Sequence, residues 1–211
     1  MKKISLILGV ALMVVLSACN GKKTTDVAAT DNATVVMENI LARKSVRSYT
    51  EQPIGNDTIQ NILRAAMAAP SGMDVRPWSF VVLRDKSNFE NLFEGNMNLR
   101  KFQEAAVVIV VCADTTMAKR GTYDGSRVPN PIWRDDMGAC TENLLLAVEA
   151  YGLGAVWTAC YPFADRMAKI KAMLELPAEV VPYCVVPIGH HDGTTEPKDK
   201  WDEYRLHYER W

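Results

Sequence analysis

Ala106-Val107-Val108-Ile109-Val110-Val111-Cys112-Ala113 is apolar throughout and mostly β-branched. A strand with one face in water would alternate, so this run suits a central strand buried on both faces. Such a strand needs paired neighbours and a helical layer on each side. Residues 78–83 and 183–188 read as further strands, and a short one starts over 155–158. Helical patterns are expected over 35–42, 55–69, 87–93, 99–105 and 164–174. In the second of these, Ile59, Ile62, Leu63, Ala66 and Met67 recur at helical spacing, Asn56 or Asp57 is placed to cap the start, and Pro70 stops the run.

The longest helix expected covers 137–151, with Asp135 or Asp136 as its cap and Gly152 and Gly154 at its end. It is apolar nearly all round, interrupted only by Thr141, Glu142, Asn143 and Glu149. A helix of that kind must be covered on every side, and a partner subunit is the expected source of the extra cover. Between it and the central run, residues 114–133 read as a long loop or lid with one helical turn. Lys119, Arg120 and Arg127 there could meet an anionic substrate or be ordinary surface charges. In the tail, Trp201, Tyr204, Tyr208 and Trp211 suit either one face of a helix or an extended arm laid on a neighbouring subunit.

Residues 1–18 are expected to be a signal peptide. Lys2 and Lys3 precede an apolar run too short for an ordinary membrane span. The run ends in Leu16-Ser17-Ala18-Cys19, which resembles a bacterial lipobox and makes Cys19 the expected lipidation site. Residues 19–34 then form a polar tether, and 35–211 a single domain. The expected location is the cell envelope, with the protein held at the membrane by its lipid only. Removing residues 1–18 takes away two lysines and no acid, shifting the formal charge from -1 to -3. That balance argues against nucleic acid as a partner. Cys112, Cys140, Cys160 and Cys184 show no paired spacing and read as buried free thiols, and no metal-ligand spacing appears.

Arg43, Lys44, Ser45, Val46 and Arg47 concentrate donors able to hold a phosphate; on this segment alone, a solvated basic helix end is the stronger reading. No acid, base and nucleophile constellation follows elsewhere, which is typical of an enzyme that borrows its chemistry from a cofactor. The basic cluster is followed by Ala69-Pro70-Ser71-Gly72-Met73-Asp74-Val75-Arg76-Pro77-Trp78. Then come Asp136, Thr141-Glu142-Asn143-Leu144-Leu145-Leu146 and Gly152-Leu153-Gly154-Ala155-Val156-Trp157. Together, in this order and spacing, they resemble the FMN-dependent nitroreductase family from about Met37 to the end of the chain.

The resemblance implies an α+β fold with a mixed, mainly antiparallel sheet surrounded by helices, in an intertwined homodimer with FMN at two interface sites. It places Arg43, Lys44, Ser45 and Arg47 on the FMN phosphate and ribityl chain. Pro70, Ser71, Gly72, Met73 and Asp74 would form the loop that reaches the flavin from the other subunit. The backbone of Trp157, Thr158, Ala159 and Cys160 would lie along the ring, and Lys198 and Lys200 would approach the phosphate. The family commonly has Asn at Asp74 and Gln at Arg76; an ionised Asp74 would lower the flavin potential unless Arg76 neutralises it. The implied activity is ping-pong hydride transfer to a nitroaromatic, quinone or enone acceptor, with flavin N5 rather than a side chain doing the chemistry. NADH or NADPH would be the donor in the test tube, and a membrane quinol or secreted carrier the donor outside the cytoplasm. The alternatives are a lipid-anchored FMN carrier without turnover and a dehalogenase-like enzyme on the same fold.

Overall fold

The computed structural model describes residues 31–93, 103–121 and 123–211. The expected signal peptide, Cys19 and nearly all of the tether lie outside the described residues, as does most of the helix expected over 99–105. Five α-helices are described: α1 (Asn32–Ala42), α2 (Asn56–Met67), α3 (Lys86–Phe93), α4 (Trp133–Ala150) and α5 (Ala164–Met173). The strands are β1 (Trp78–Leu83), β2 (Val107–Asp114), β3 (Thr116–Ala118), β4 (Arg127–Pro129), β5 (Gly154–Ala155), β6 (Thr158–Ala159) and β7 (Val180–Gly189).

The main sheet has the order β1-β2-β7-β5, with β6 also paired to β7, and every strand pair in it is antiparallel. A single parallel bridge, Ser45 to Ala155, adds the segment ahead of α2 to the β5 edge. Strand β2 is central, as its composition requires: Val107 to Ala113 are all buried. It carries a bulge between Val111 and Cys112, and Pro182, which cannot donate to a ladder, is paired at that irregularity.

Alternation along β2 and β7 sends side chains into two cores. Val107, Ile109, Val111, Cys184, Val186 and Ile188 pack with Ile59 and Ile62 of α2 and with Met137, Cys140 and Leu144 of α4. On the other face, Val108, Val110, Cys112 and Val185 pack with Phe89 and Leu92 of α3, Ile170 of α5, and Val46 and Tyr49. The four described cysteines are free and buried, as expected.

Two expectations change, over residues 114–133 and at the start of α4, and of the two readings left open for the tail the helical one drops out. Residues 114–133 are not a plain loop with a helical turn: they hold a hairpin in which Thr116 faces Pro129 and Ala118 faces Arg127. Its side-chain tie is Arg127, which donates to the Asp114 carboxylate and to Thr116 Oγ1. Helix α4 begins at Trp133, a turn earlier than expected, because the Trp133 ring is buried edge-on against Tyr161 and Tyr183, 5.0 and 6.0 Å between centroids. Asp135 and Asp136 therefore fall in the first turn; the cap position is Ile132 and makes no side-chain cap hydrogen bond. The tail has one 3-10 turn, Glu203–Arg205, and no longer helix, leaving Trp201, Tyr204, Tyr208 and Trp211 exposed. Among the described residues, no helix is long and apolar enough to cross a membrane.

Candidate flavin site

The segment 43–47 is fixed by the sheet edge. Val46 N–H donates to the Ala155 carbonyl at 2.9 Å, and the Val46 side chain is buried against β5. The approach is close enough that a Cβ on Gly154 would lie 2.6 Å from Val46 Cγ1. Tyr49 adds a second tie: its hydroxyl donates to the carbonyls of Val46 and Pro187, and burial pushes its pKa well above the ordinary tyrosine value.

That backbone presents its cations unequally. Lys44 Nζ is 2.8 Å from Glu149 Oε1 of α4 with both side chains largely covered, so Lys44 is held inside the fold. Arg43 is looser, 3.5 Å from a half-exposed Glu142. Arg47 is exposed and, among the described residues, donates only to the Ser45 carbonyl, at 3.0 Å. A cleft of about 890 Å³ brings Arg43 together with Lys198 and Lys200, between Leu41, Pro197 and Trp201. Three cations from the two ends of the domain thus share one opening with Glu142 and Asp199, and the excess of donors fits a phosphate.

The loop 71–77 lies at the other edge of the sheet, leading into β1. Met73, Asp74 and Arg76 all have left-handed backbone, with φ of 55°, 56° and 51°. Each such residue costs on the order of 1 kcal/mol, and clusters of them are characteristic of ligand-binding loops. Gly72 N–H donates to Asp136 Oδ1 at 2.8 Å, while Arg76 N–H donates to Ser71 Oγ at 3.1 Å. Asp136 is buried and its Oδ2 has no hydrogen-bond partner among the described residues. Sequence reasoning missed this clamp by treating Asp136 as a helix cap. Its spacing of four from Cys140 and eight from Leu144, both on the buried face, was the available signal.

Asp74 and Arg76 pair with each other through two hydrogen bonds of 2.6 and 2.5 Å, which hold the Asp74 carboxyl below the usual range. A second cleft, of about 400 Å³, runs between this loop and the β3–β4 hairpin. Pro70 is exposed at the foot of α2 and lines neither cleft.

The segment 157–160 lies on β7. Thr158 and Ala159 form β6, and Trp157 meets Tyr183 edge-on with centroids 5.4 Å apart. Cys160 N–H donates to the Tyr183 carbonyl at 3.1 Å, so that donor is committed inside the sheet. Burial pushes the Cys160 thiol up to about 12, which keeps it protonated and chemically quiet. No group of acids, histidines and cysteines among the described residues is arranged to hold a metal ion.

The chain matches the model of the nitroreductase family over residues 40–99 and 86–190. A Methanothermobacter thermautotrophicus protein under the provisional name NADH dehydrogenase/NAD(P)H nitroreductase is 35% identical over 176 residues, 83% of this chain and 87% of the relative. A Bacteroides thetaiotaomicron structure under the same provisional name has a TM-score of 0.75 and 37% identity, covering 84% of this chain and 98% of that one. The Vibrio harveyi NADPH:FMN oxidoreductase, solved with NAD+, has a TM-score of 0.72 and 27% identity, covering 83% and 77% of the two chains. The basic edge, the strained loop and the shared sheet thus occur in a chain that belongs to the nitroreductase family.

Proposed function

We propose that this FMN-dependent, nitroreductase-like oxidoreductase works as a homodimer, each of whose two flavin sites takes its phosphate contacts from one chain and its 71–74 loop from the other. The observation that carries this reading is the separation of the two candidate halves. The cleft of Arg43, Lys198 and Lys200 adjoins the β5 side of the sheet, and the 71–77 loop enters at β1. The two clefts share no lining residue. Surface for a partner is plentiful: Val35, Val36, Met37, Ile40 and Leu41 of α1 and the aromatic tail are all exposed. Apolar exposure on that scale is characteristic of an interface.

FMN, when bound, would supply the two-electron hydride chemistry that links a donor to an electron-poor acceptor such as a nitroaromatic, quinone or enone. The chain's own work is positional. Arg43, Lys198 and Lys200 would hold the phosphate end from the cleft they line, with Arg47 on the same segment as Arg43. Asp136 fixes the Gly72 amide and with it the strained loop that would face the flavin. The β6 segment gives a rigid wall, because it is paired along β7. Cys160 takes no proton or electron.

The expected lipid on Cys19 would place the domain at the cell envelope, where soluble nicotinamide nucleotides are scarce, so a quinol or secreted carrier is the proposed physiological donor. Purified protein should be yellow, bleach with a reductant and recover with a nitro or quinone acceptor. Persistent colour without acceptor turnover favours an FMN carrier, and protein that cannot take up FMN refutes both readings. Steady-state comparison of a quinol with NADPH, together with cell fractionation, tests the donor: strong preference for NADPH in a cytoplasmic protein defeats the envelope proposal.

A further inference from the structure

The cleft between the 71–77 loop and the β3–β4 hairpin has a charge pattern of which the flavin reading uses only the Asp74–Arg76 pair. Three arginines line it, Arg76, Arg120 and Arg127, with two aspartates, Asp74 and Asp114. Each aspartate is taken up by one arginine: Arg76 holds Asp74, and Arg127 holds Asp114. Arg120 is left over, exposed just beyond β3, and has no ion-pair partner among the described residues. The rest of the lining includes Met73, Met117 and Pro77. Methionines accommodate an aromatic ring through flexible, polarisable contacts. At about 400 Å³ the cleft matches a one-ring molecule rather than a dinucleotide.

We propose that this cleft is an acceptor subsite selecting aromatic compounds that carry a carboxylate, with Arg120 as the specificity-determining cation. The inference rests on the oxidoreductase reading for the identity of the ligand as acceptor, but the binding it asserts does not need turnover. The two internal ion pairs serve this role by neutralising the other four charges and stiffening both walls, so that one positive group governs selection. Arg76 and Arg127 are not free to do so, since moving either toward a ligand would strand its aspartate.

The probes are 4-nitrobenzoate and 4-nitrobenzamide, equal in shape and different in charge. With the FMN-loaded protein, KM for the acid should be about fivefold lower than for the amide, the effect of one partly exposed ion pair. Arg120→Gln should bring the ratio close to one, and Arg120→Lys should restore part of it. Calorimetric titration of the two compounds should show the same ratios without turnover. If neither compound is turned over, the nitroaromatic-acceptor reading falls while calorimetry still decides the subsite. Equal binding of acid and amide by the wild type, or a ratio unmoved by Arg120→Gln, overturns the proposal. So does a variant whose main effect is a raised KM for NADPH relative to NADH, because Arg120 would then read the donor's phosphate.

Discussion

Residues 43–47 and 71–76 are both polar connections at the ends of helices, at opposite edges of one sheet, and they are held by opposite means. The first is fixed by packing and ladder: Val46 wedges against Gly154, its amide bonds to Ala155, and Lys44 is locked to Glu149. The second has almost no buried side chain and three left-handed residues. Its main tether to the rest of the fold is one hydrogen bond from Gly72 to a buried carboxylate. A phosphate carries a fixed charge, so a rigid basic edge can serve it through packing alone. The loop proposed to reach the flavin has a strained shape, and strain persists only where a strong local contact enforces it.

The contrast is broken most severely at Gly154. Adding a methyl there forces it within 2.6 to 3.0 Å of three Val46 atoms, and the branched valine has no free rotamer to yield. Gly154→Ala should cost about 2–3 kcal/mol in urea unfolding, the upper part of the overpacking range. Val46→Ala in the same chain removes two of the three colliding atoms and keeps Cβ, 2.7 Å away, so it should recover part of that loss, a coupling expected only if the two residues collide. Independent, additive losses would show that the edge is not fixed by this contact.

Asp136→Ala attacks the other region and should cost about 2 kcal/mol, as for a buried hydrogen bond to a charged group. The informative readout is local. Amide exchange should accelerate at residues 72–76 and remain slow at Val46, whose N–H lies in the edge bridge. Uniform acceleration would mean that Asp136 supports the helix start generally rather than the loop.

These two positions also show what the sequence could disclose. The sheet was legible because β2 needs cover on both faces, and a run from Val107 to Ala113 has few other stable arrangements. Helix α2 was legible from the spacing of Ile59, Ile62 and Ala66. The start of α4 was not. Two adjacent aspartates look like a cap, and only the burial of Trp133 against Tyr161 and Tyr183 places the helix start a turn earlier. The β3–β4 hairpin was hidden for another reason. Its strands are three residues long and hold together through Arg127 with Asp114, a contact across thirteen positions that no local pattern signals. The basic cluster was visible as a list of cations. Which of them are engaged depends on Glu142 and Glu149, a hundred residues away.

That last point separates cations of the same segment. Lys44→Ala would strand Glu149 in a largely covered position, so its main effect should be on stability. Arg47→Ala removes an exposed group that, among the described residues, holds nothing but a local carbonyl, and the fold should tolerate it. Its effect should fall on cofactor retention: a rise of about tenfold in the FMN dissociation constant, with kcat little changed at saturating FMN, as for one lost charge-assisted phosphate contact. If kcat falls and retention is unchanged, the residue serves the reacting end and not the phosphate.

The smallest effect is expected at Asp74. Alone, its carboxylate would disfavour the addition of electrons to a nearby flavin and lower the midpoint. The bidentate bond to Arg76 makes the pair nearly neutral at a distance, and both groups are exposed. Asp74→Asn removes the anion and leaves the guanidinium, so the FMN midpoint should rise slightly in a redox titration. Adding Arg76→Gln should return it toward the wild-type value, because both charges are then gone. A midpoint that rises in the single variant and stays raised in the double would show Asp74 acting on the flavin unneutralised. A midpoint unmoved in both would place the pair too far from the ring to act on it, leaving the hydrogen bond from Gly72 to Asp136 as the loop's contribution to the site.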